Sequence, residues 1–433
     1  MRRLSRLFKD ETINFVQAAL WLVFGVIGSW GRITGLARPY PRFDPAKVRK
    51  ILVLRLDLLG DVLLSMPAVE ALHERYPDAE LWMMTVPYTA DIPARYPFVT
   101  RVVSLDTNAI RSPRNLLRPS TLRAWYATYR LLRRQRFDLA VSLFGLMASI
   151  WAFMSGATHR LGYSREAYPL LHTRTLPGMR YDRREHEVRW CLRLAELAGA
   201  PQQPRYMSLD VEPGAAERMR EVLESHGVTA ATLLVGIHAG SINGSAKRWP
   251  AAHWVELADR LHDDYGATVV LTGSKSELPI ARSVAGAMRS TPLVLTGATT
   301  VNELAAVLAR CDLVLSGDSG PLHMAVALGR PTVSVYGPTD PGISGPYPRP
   351  GQTAIVLRTG IGCSPCYNAL STAECPYGNT ACMHHLTVDR MDRAVRHALR
   401  ARHLTALPIS HADADADADV DADPDRDLAA GAR

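Results

Sequence analysis

Leu313 to Asp340 reads LVLSGDSGPLHMAVALGRPTVSVYGPTD, and the fold turns on how this stretch is read. Leu313 to Leu315 is a short apolar strand, and Ser316 to Gly320 is a polar, glycine-rich turn. A helix opens at Pro321, where a missing N–H is harmless because first-turn donors have no intrahelical partner. Gly329 closes that helix and Thr332 to Tyr336 forms the next strand, which makes one βαβ unit with its turn at a strand's carboxyl end. Ligands bind there in an open parallel sheet. The unpaired N–H groups and dipole of the helix start favour an anion, most naturally a phosphate. The plain alternative is a connection whose Gly and Ser serve the turn alone. Asp318, Ser319 and His323, three polar functions within six residues, favour the ligand site.

The same pattern recurs upstream. Leu233 to Ile237 is a buried strand, followed by the polar loop His238-Ala-Gly-Ser-Ile-Asn-Gly-Ser-Ala-Lys-Arg-Trp-Pro250 and a helix from Ala251 to Asp263. Glycines let backbone approach a ligand closely, and Lys247 and Arg248 bring positive charge beside a helix start. Ser241, in the same loop, is a candidate donor contact. The Walker A spacing is absent. Glu277 follows the next strand, Thr268 to Thr272, where an acid holds ribose hydroxyls in dinucleotide folds; a first-turn helix acid is the equal alternative. Nearer the N-terminus, Ile51 to Leu54 is a strand, and Arg55-Leu-Asp-Leu-Leu-Gly-Asp61 turns into a helix from Val62 to Arg75. Asp61 stands at or near that helix start, as a ligand-facing acid or a first-turn cap. Cys191 and Cys311 lie in apolar runs and are expected to be buried.

The chain has 433 residues, enough for two cores, and a formal net charge of +8. From His411 to Arg433 there are eight Asp and two Arg, a net of −6, so the rest of the chain carries +14. A basic body with an acidic tail points to an anionic partner. The Asp-Ala tail, 404–433, is low in complexity and is read as disordered; its repeated Asp-x-Asp triplets offer no single fixed metal site. Thr12 to Gly31 carries no charge, and Ala18 to Ile27 is apolar on every face. Residues 1–45 are therefore read as a membrane-associating segment and linker, either spanning or lying at the interface with Trp21 and Trp30 at headgroup level. No Ala-x-Ala cleavage site follows, which argues against a secretory signal. The Pro-rich change of character around Pro201 to Val228 places a domain junction there: 46–205 is the N-terminal domain and 206–403 the C-terminal one.

From Arg111 to Arg136 there are eight arginines and no acid, with Trp125, Tyr126 and Tyr129 interleaved. On a helix these arginines exceed one narrow stripe, so several face solvent. Nucleic acid, anionic lipid and a phosphorylated glycan all fit such a surface, as does a merely solvated helix.

Taken together, Arg55-Leu-Asp-x-x-Gly-Asp61 with Met66-Pro67-Ala68, Ala246-Lys-Arg-Trp-Pro250, and Gly317-Asp-Ser-Gly-Pro-Leu-His323 ahead of Tyr336-Gly-Pro-Thr-Asp340 resemble glycosyltransferase family 9, the lipopolysaccharide heptosyltransferases. The resemblance covers roughly Ile51 to His385. It implies an α/β fold of the GT-B class, two Rossmann-like domains facing a central cleft, the C-terminal one holding a nucleotide-sugar and the N-terminal one an acceptor. It implies inversion at the anomeric carbon with no metal or other cofactor. By position, Asp61 is the implied general base, with Asp57 its competitor. Lys247 is the implied phosphate or donor contact and Asp318 the sugar-hydroxyl ligand; Gly320 and His323 would lie at the diphosphate, and Ser319 is a further donor-site candidate. Arg55, Asp57, Arg118 and Arg123 are candidate acceptor contacts.

The chemistry agrees with those roles. An acceptor hydroxyl must lose its proton as it attacks, and one carboxylate on the attacking face can take it. The departing nucleoside diphosphate builds negative charge that Lys247 and a helix N-terminus would stabilise.

Cys363, Cys366, Cys375 and Cys382 form C-x2-C-x8-C-x6-C, which matches no common zinc finger beyond its first pair. A zinc site, a conditional disulfide and free thiols stay open. Val388 to His403 is an Arg-rich amphipathic helix of the kind that GT-B proteins send back across the N-terminal domain.

The expected activity is transfer of a sugar, heptose from ADP-heptose first, to an anionic glycolipid such as lipopolysaccharide core. The expected place is the cytoplasmic face of the bacterial inner membrane, with the membrane surface as partner and no nucleic acid. Another nucleotide-sugar donor and a non-catalytic sugar-nucleotide-binding protein are the alternatives.

Overall fold

A computed structural model describes residues 42–107, 115, 118–165, 171–178, 185–242, 244–366 and 374–400. The apolar segment 12–31 and the acidic tail 404–433 lie outside the described residues. Two compact units divide the chain: Met1–Pro213 with Gly342–Tyr347, and Gly214–Pro341 with Pro348–Arg433.

The first unit is built on six parallel strands, β1 (Lys50–Arg55), β2 (Glu80–Thr85), β3 (Arg101–Ser104), β4 (Leu139–Phe144), β5 (His159–Tyr163) and β6 (Arg174–Leu176), in the order β3-β2-β1-β4-β5-β6. The second repeats the design with β7 (Leu234–His238), β8 (Thr268–Leu271), β9 (Leu293–Val294), β10 (Leu313–Gly317), β11 (Thr332–Val335) and β12 (Ala354–Leu357), in the order β12-β11-β10-β7-β8-β9. Numbered within each unit, both are 3-2-1-4-5-6, the doubly wound order of dinucleotide-binding sheets. The central strands are apolar almost throughout because helices cover both their faces; β1 is buried from Ile51 to Arg55 and β10 from Leu313 to Gly317.

Such a sheet has one topological switch point, where neighbouring crossovers leave in opposite directions and open a crevice beyond the strand ends. In the first unit it lies between β1 and β4, and in the second between β7 and β10. The turns singled out in the sequence follow β1, β7 and β10, so strand order alone delivers them to the two crevices.

Helix α1 (Leu59–Arg75) runs through Pro67 and packs along the helix Glu187–Leu197 on one face of the first sheet. The Tyr163 ring stacks on Trp190 at 3.7 Å, and its hydroxyl donates to the Trp190 carbonyl at 2.6 Å. On the opposite face, α2 (Pro119–Gln135) and α3 (Leu146–Ser155) close a core containing Leu52, Leu54, Trp82, Leu132, Phe137 and Trp151. The helix Glu187–Leu197 is α4.

The described part of the C-terminal amphipathic helix packs within the second unit. Val388–Arg400 buries Met391, Ala394, Val395 and Ala398 in the core of the second unit, beside Trp254, Leu257 and Leu261. Its Asp389 pairs with Arg260 at 2.7 Å. The segment that rejoins the first unit is the shorter Gly342–Tyr347. There the Gly345 carbonyl lies 3.1 Å from His186 Nε2, and the Tyr347 ring lies 4.7 Å from the His186 ring. His186 also caps α4, accepting from the Val188 N–H. An apolar stripe specifies that a helix face is buried, not which of two similar cores receives it.

Candidate active site

In the first unit the site is built around one buried cation. Arg55 closes β1, where the β1–β4 register shifts between Leu54 and Arg55, and its side chain is fully buried. One guanidinium nitrogen lies 2.6 Å from Glu187 Oε1, and the other lies 3.2 Å from Asp57 Oδ2 and 3.1 Å from Asp61 Oδ1. The Cys191 thiol is 3.8 Å from both Arg55 and Glu187, and the Phe144 ring lies 5.1 Å from the guanidinium. Burial alone would push the guanidinium pKa down. Glu187 first, then Asp57 and Asp61, hold it above its ordinary value instead.

The two aspartates differ in setting. Asp57 lies in the turn, with Oδ1 accepting from the Leu58 N–H at 2.9 Å and Oδ2 on Arg55. Asp61 is the third residue of α1, where helix-start N–H groups and the dipole favour an ionised acid. Both keep some access to solvent, 21% and 16% of the side chain, whereas Glu187 has none. The cluster can therefore present a carboxylate to a bound hydroxyl while Arg55 fixes its direction. Arg55 itself is fully buried and holds the acids, so the surface that an acceptor contact needs is absent from this side chain, in contrast to the acceptor role that the sequence suggested. Arg118 and Arg123 lie at the start of α2, both exposed.

In the second unit the loop after β7 is fastened residue by residue. Trp249 is buried and donates from Nε1 to the Leu386 carbonyl at 2.9 Å. Arg248 donates to the Ser241 carbonyl at 2.9 Å, and Pro250 leads into a helix, Ala251–Tyr265. Gly317 allows the close approach: a Cβ there would lie 3.1 Å from the Lys247 carbonyl. With its backbone held, Lys247 places Nζ 2.6 Å from Asp318 Oδ2, and both side chains are about 10% exposed. The Tyr336 hydroxyl, from the residue after β11, donates to Asp318 Oδ1 at 3.5 Å. Burial first, then the Asp318 charge, pushes the Tyr336 phenol well up, so it remains a donor. Ser319 precedes the helix Gly320–Ala327 and shares a 2.7 Å hydrogen bond with Ser316. His323, one turn further in, is buried. A cation, a helix N-terminus and a hydroxyl pair thus meet at one strand end, a suitable cradle for a diphosphate.

Glu277 is placed differently from a ribose ligand. It closes a capping box with Ser274 and lies 3.4 Å from His238 Nε2, only 3% exposed. A Cβ on Gly240 would collide with its carboxylate. The first-turn acid is the reading that this geometry supports. Burial would raise its pKa, but His238 and the Ser274 donors outweigh burial and bring it to about 2, from 4.5. The depressed value means that its stabilisation is complete above about 4.5 and fades as pH falls towards about 2. Glu277→Gln should cost about 2 kcal/mol near pH 6, after allowance for solvent screening. The deficit should shrink steadily in urea unfolding curves taken down to pH 2, and a deficit independent of pH would contradict the assignment.

None of the four clustered cysteines is joined in a disulfide; Cys363 and Cys366 are exposed, Cys375 half-buried and Cys382 buried. Among the described residues no three His, Cys, Asp or Glu side chains are grouped to hold a metal. Cys191 and Cys311 are fully buried.

Sequence reading missed two members of the site. Glu187 stands 132 residues from Arg55, and nothing local ties the two together. Tyr336 was visible only as part of a motif; its position one residue past a strand that neighbours β10 was the available signal.

With this geometry in place, comparison with known proteins is decisive. The family model of glycosyltransferase family 9 (heptosyltransferase) matches residues 125–376. The chain belongs to glycosyltransferase family 9. It is a heptosyltransferase-like glycosyltransferase with the GT-B class of fold. The chain is 27% identical over 332 residues to lipopolysaccharide heptosyltransferase 2 of Escherichia coli K12, covering 71% of this chain and 88% of that protein. Its structure is similar to that of a family 9 glycosyl transferase from Veillonella parvula DSM 2008, at 23% identity and a TM-score of 0.71, over 83% of this chain and 99% of that one. It is also similar to E. coli ADP-heptose lps heptosyltransferase II, at 23% identity and a TM-score of 0.65, over 82% and 99%. At these identities the structural likenesses bear on the fold alone. The family 9 match includes Lys247 and Asp318, while Arg55 to Asp61 precede it.

Proposed function

We propose that this family 9 transferase moves heptose from ADP-heptose to a hydroxyl of an anionic glycolipid of the lipopolysaccharide core, inverting the anomeric centre, on the cytoplasmic side of the inner membrane. The observation that carries the reading is the Lys247–Asp318 pair beside the Gly320–Ala327 helix start, a built cation at a place suited to a departing diphosphate. In the reaction the acceptor oxygen bonds to the anomeric carbon and its proton passes to Asp61. The bond from that carbon to the diphosphate oxygen breaks, and the electron pair leaves with ADP. The Lys247 ammonium and the helix amides meet the charge that develops, so the protein supplies the electrophilic assistance itself. Asp318 fixes Lys247 by its ion pair and remains the candidate for a donor hydroxyl. A single displacement with a base, and no enzyme nucleophile, inverts configuration.

The test is product mass after incubation with ADP-, GDP- and UDP-linked sugars and a lipid extract, with the anomeric configuration read by NMR. The expected product gains one heptosyl residue from ADP-heptose only. Transfer from another nucleotide-sugar alone would replace the donor, and ADP-heptose binding without turnover would make the chain a binding protein. Lys247→Ala is expected to lower kcat by about 10²- to 10³-fold, the size seen when one oxyanion-type donor is removed. Unchanged turnover in that variant would remove Lys247 from the mechanism.

A further inference from the structure

Helix α2 turns its charge outward, with no counter-ion among the described residues. Of Pro119–Gln135 only Leu132 is buried, while Leu122 is 48% and Tyr126 59% exposed. At the α-helical 100° per residue, Leu122, Arg123, Tyr126, Arg130 and Arg134 share one arc of roughly 120°. Trp125 and Tyr129 pack inward, Trp125 edge-on to Trp151 at 6.0 Å. The helix contains no acid. Among the described residues none of Arg123, Arg130 and Arg134 forms an ion pair. Arg130 lies over the Tyr126 ring at 5.8 Å, and Arg133 folds across Gly156 at the end of α3. Arg130 and Arg134, one turn apart, repel each other. The chain keeps this repulsion on the surface, together with an exposed leucine and tyrosine on the same arc.

We propose that this arc is the face on which the protein rests against an anionic lipid surface. Leu122 and Tyr126 enter the headgroup layer, and Arg123, Arg130 and Arg134 pair with lipid phosphates. A polynucleotide would satisfy the arginines but gain nothing from Leu122, which a lipid interface removes from water. The inference is independent of the transfer chemistry, because it concerns adsorption alone.

The experiment is flotation of the full chain with vesicles of phosphatidylglycerol and phosphatidylethanolamine, compared with phosphatidylcholine vesicles. The readout is the ratio of the two partition coefficients, so that any charge-independent contribution of the rest of the chain cancels. Arg123→Gln/Arg130→Gln/Arg134→Gln should lower that ratio by about 100-fold, and 0.5 M salt should do much the same to the parent. Leu122→Ser/Tyr126→Ser should weaken binding to the anionic vesicles with the arginines intact. Circular dichroism of all variants should match the parent, since every substituted side chain is exposed. A triple variant that keeps the parent's ratio, or a parent ratio near one, overturns the proposal. So does full anionic binding by the Leu122→Ser/Tyr126→Ser variant, which would mark the arc as a simple polyanion site.

Discussion

Asp61→Asn is expected to lower kcat by about 10²- to 10⁴-fold, the range contributed by a positioned general base, while the protein stays folded. Asparagine is nearly the same size and keeps a hydrogen-bonding oxygen for Arg55, but it cannot accept the hydroxyl proton. The loss should therefore fall on kcat, with the donor KM little changed. Single-turnover product formation with saturating donor and acceptor is the appropriate measurement. Asp57→Asn is the control: Asp57 lies in the turn ahead of α1, held by the Leu58 N–H and Arg55, whereas Asp61 lies in the first turn of the helix, so the effect at Asp57 should be smaller. Turnover within tenfold of the parent in Asp61→Asn, or a larger loss in Asp57→Asn, would move the base to the other aspartate or away from the cluster.

The second large effect concerns stability. Arg55→Met should destabilise the protein by about 3–5 kcal/mol, because removing one partner of a buried pair leaves uncompensated charge behind. Glu187 is fully buried and Arg55 is the cation placed 2.6 Å from it. Arg55→Lys should restore little, since one ammonium cannot span Glu187 on one side and both aspartates on the other. Glu187→Leu in the Arg55→Met background should recover much of the loss, and that non-additivity separates a charge effect from a packing defect. Urea unfolding of the single and double variants decides the matter: a loss below 1 kcal/mol in Arg55→Met, or strict additivity in the double variant, would refute the account. Should Arg55→Met fail to fold, the stability of the double variant still carries the comparison.

How far the sequence went can be judged at particular residues. The turn after Leu313–Gly317 was legible because an apolar run, a Gly-rich turn, a proline at the helix start and a closing glycine all lie within one short window. Lys247 and Asp61 were legible as candidates in the same way, as charges next to helix starts after apolar strands. Glu277 shows the limit of that method. The Ser274-x-x-Glu277 spacing of a capping box was the local pointer to the helix-start reading, whereas the His238 contact that completes its burial joins residues far apart in the chain and was not legible.

Sequence alone thus determined two βαβ frameworks, the strand ends that present the candidate site residues, and the basic, acid-free run around α2. Each of these is written in patterns of a few to twenty residues, set by side-chain periodicity and turn preference. Tertiary structure decided which charges meet. Strand order brings Lys247 to Asp318 across 71 residues, and the packing of α4 on α1 brings Glu187 to Arg55 across 132. It also assigned the last helix to the second unit's core. The physical reason is that an ion pair or a buried face depends on distance through space, and sequence separation carries almost no information about that distance until the sheet is assembled.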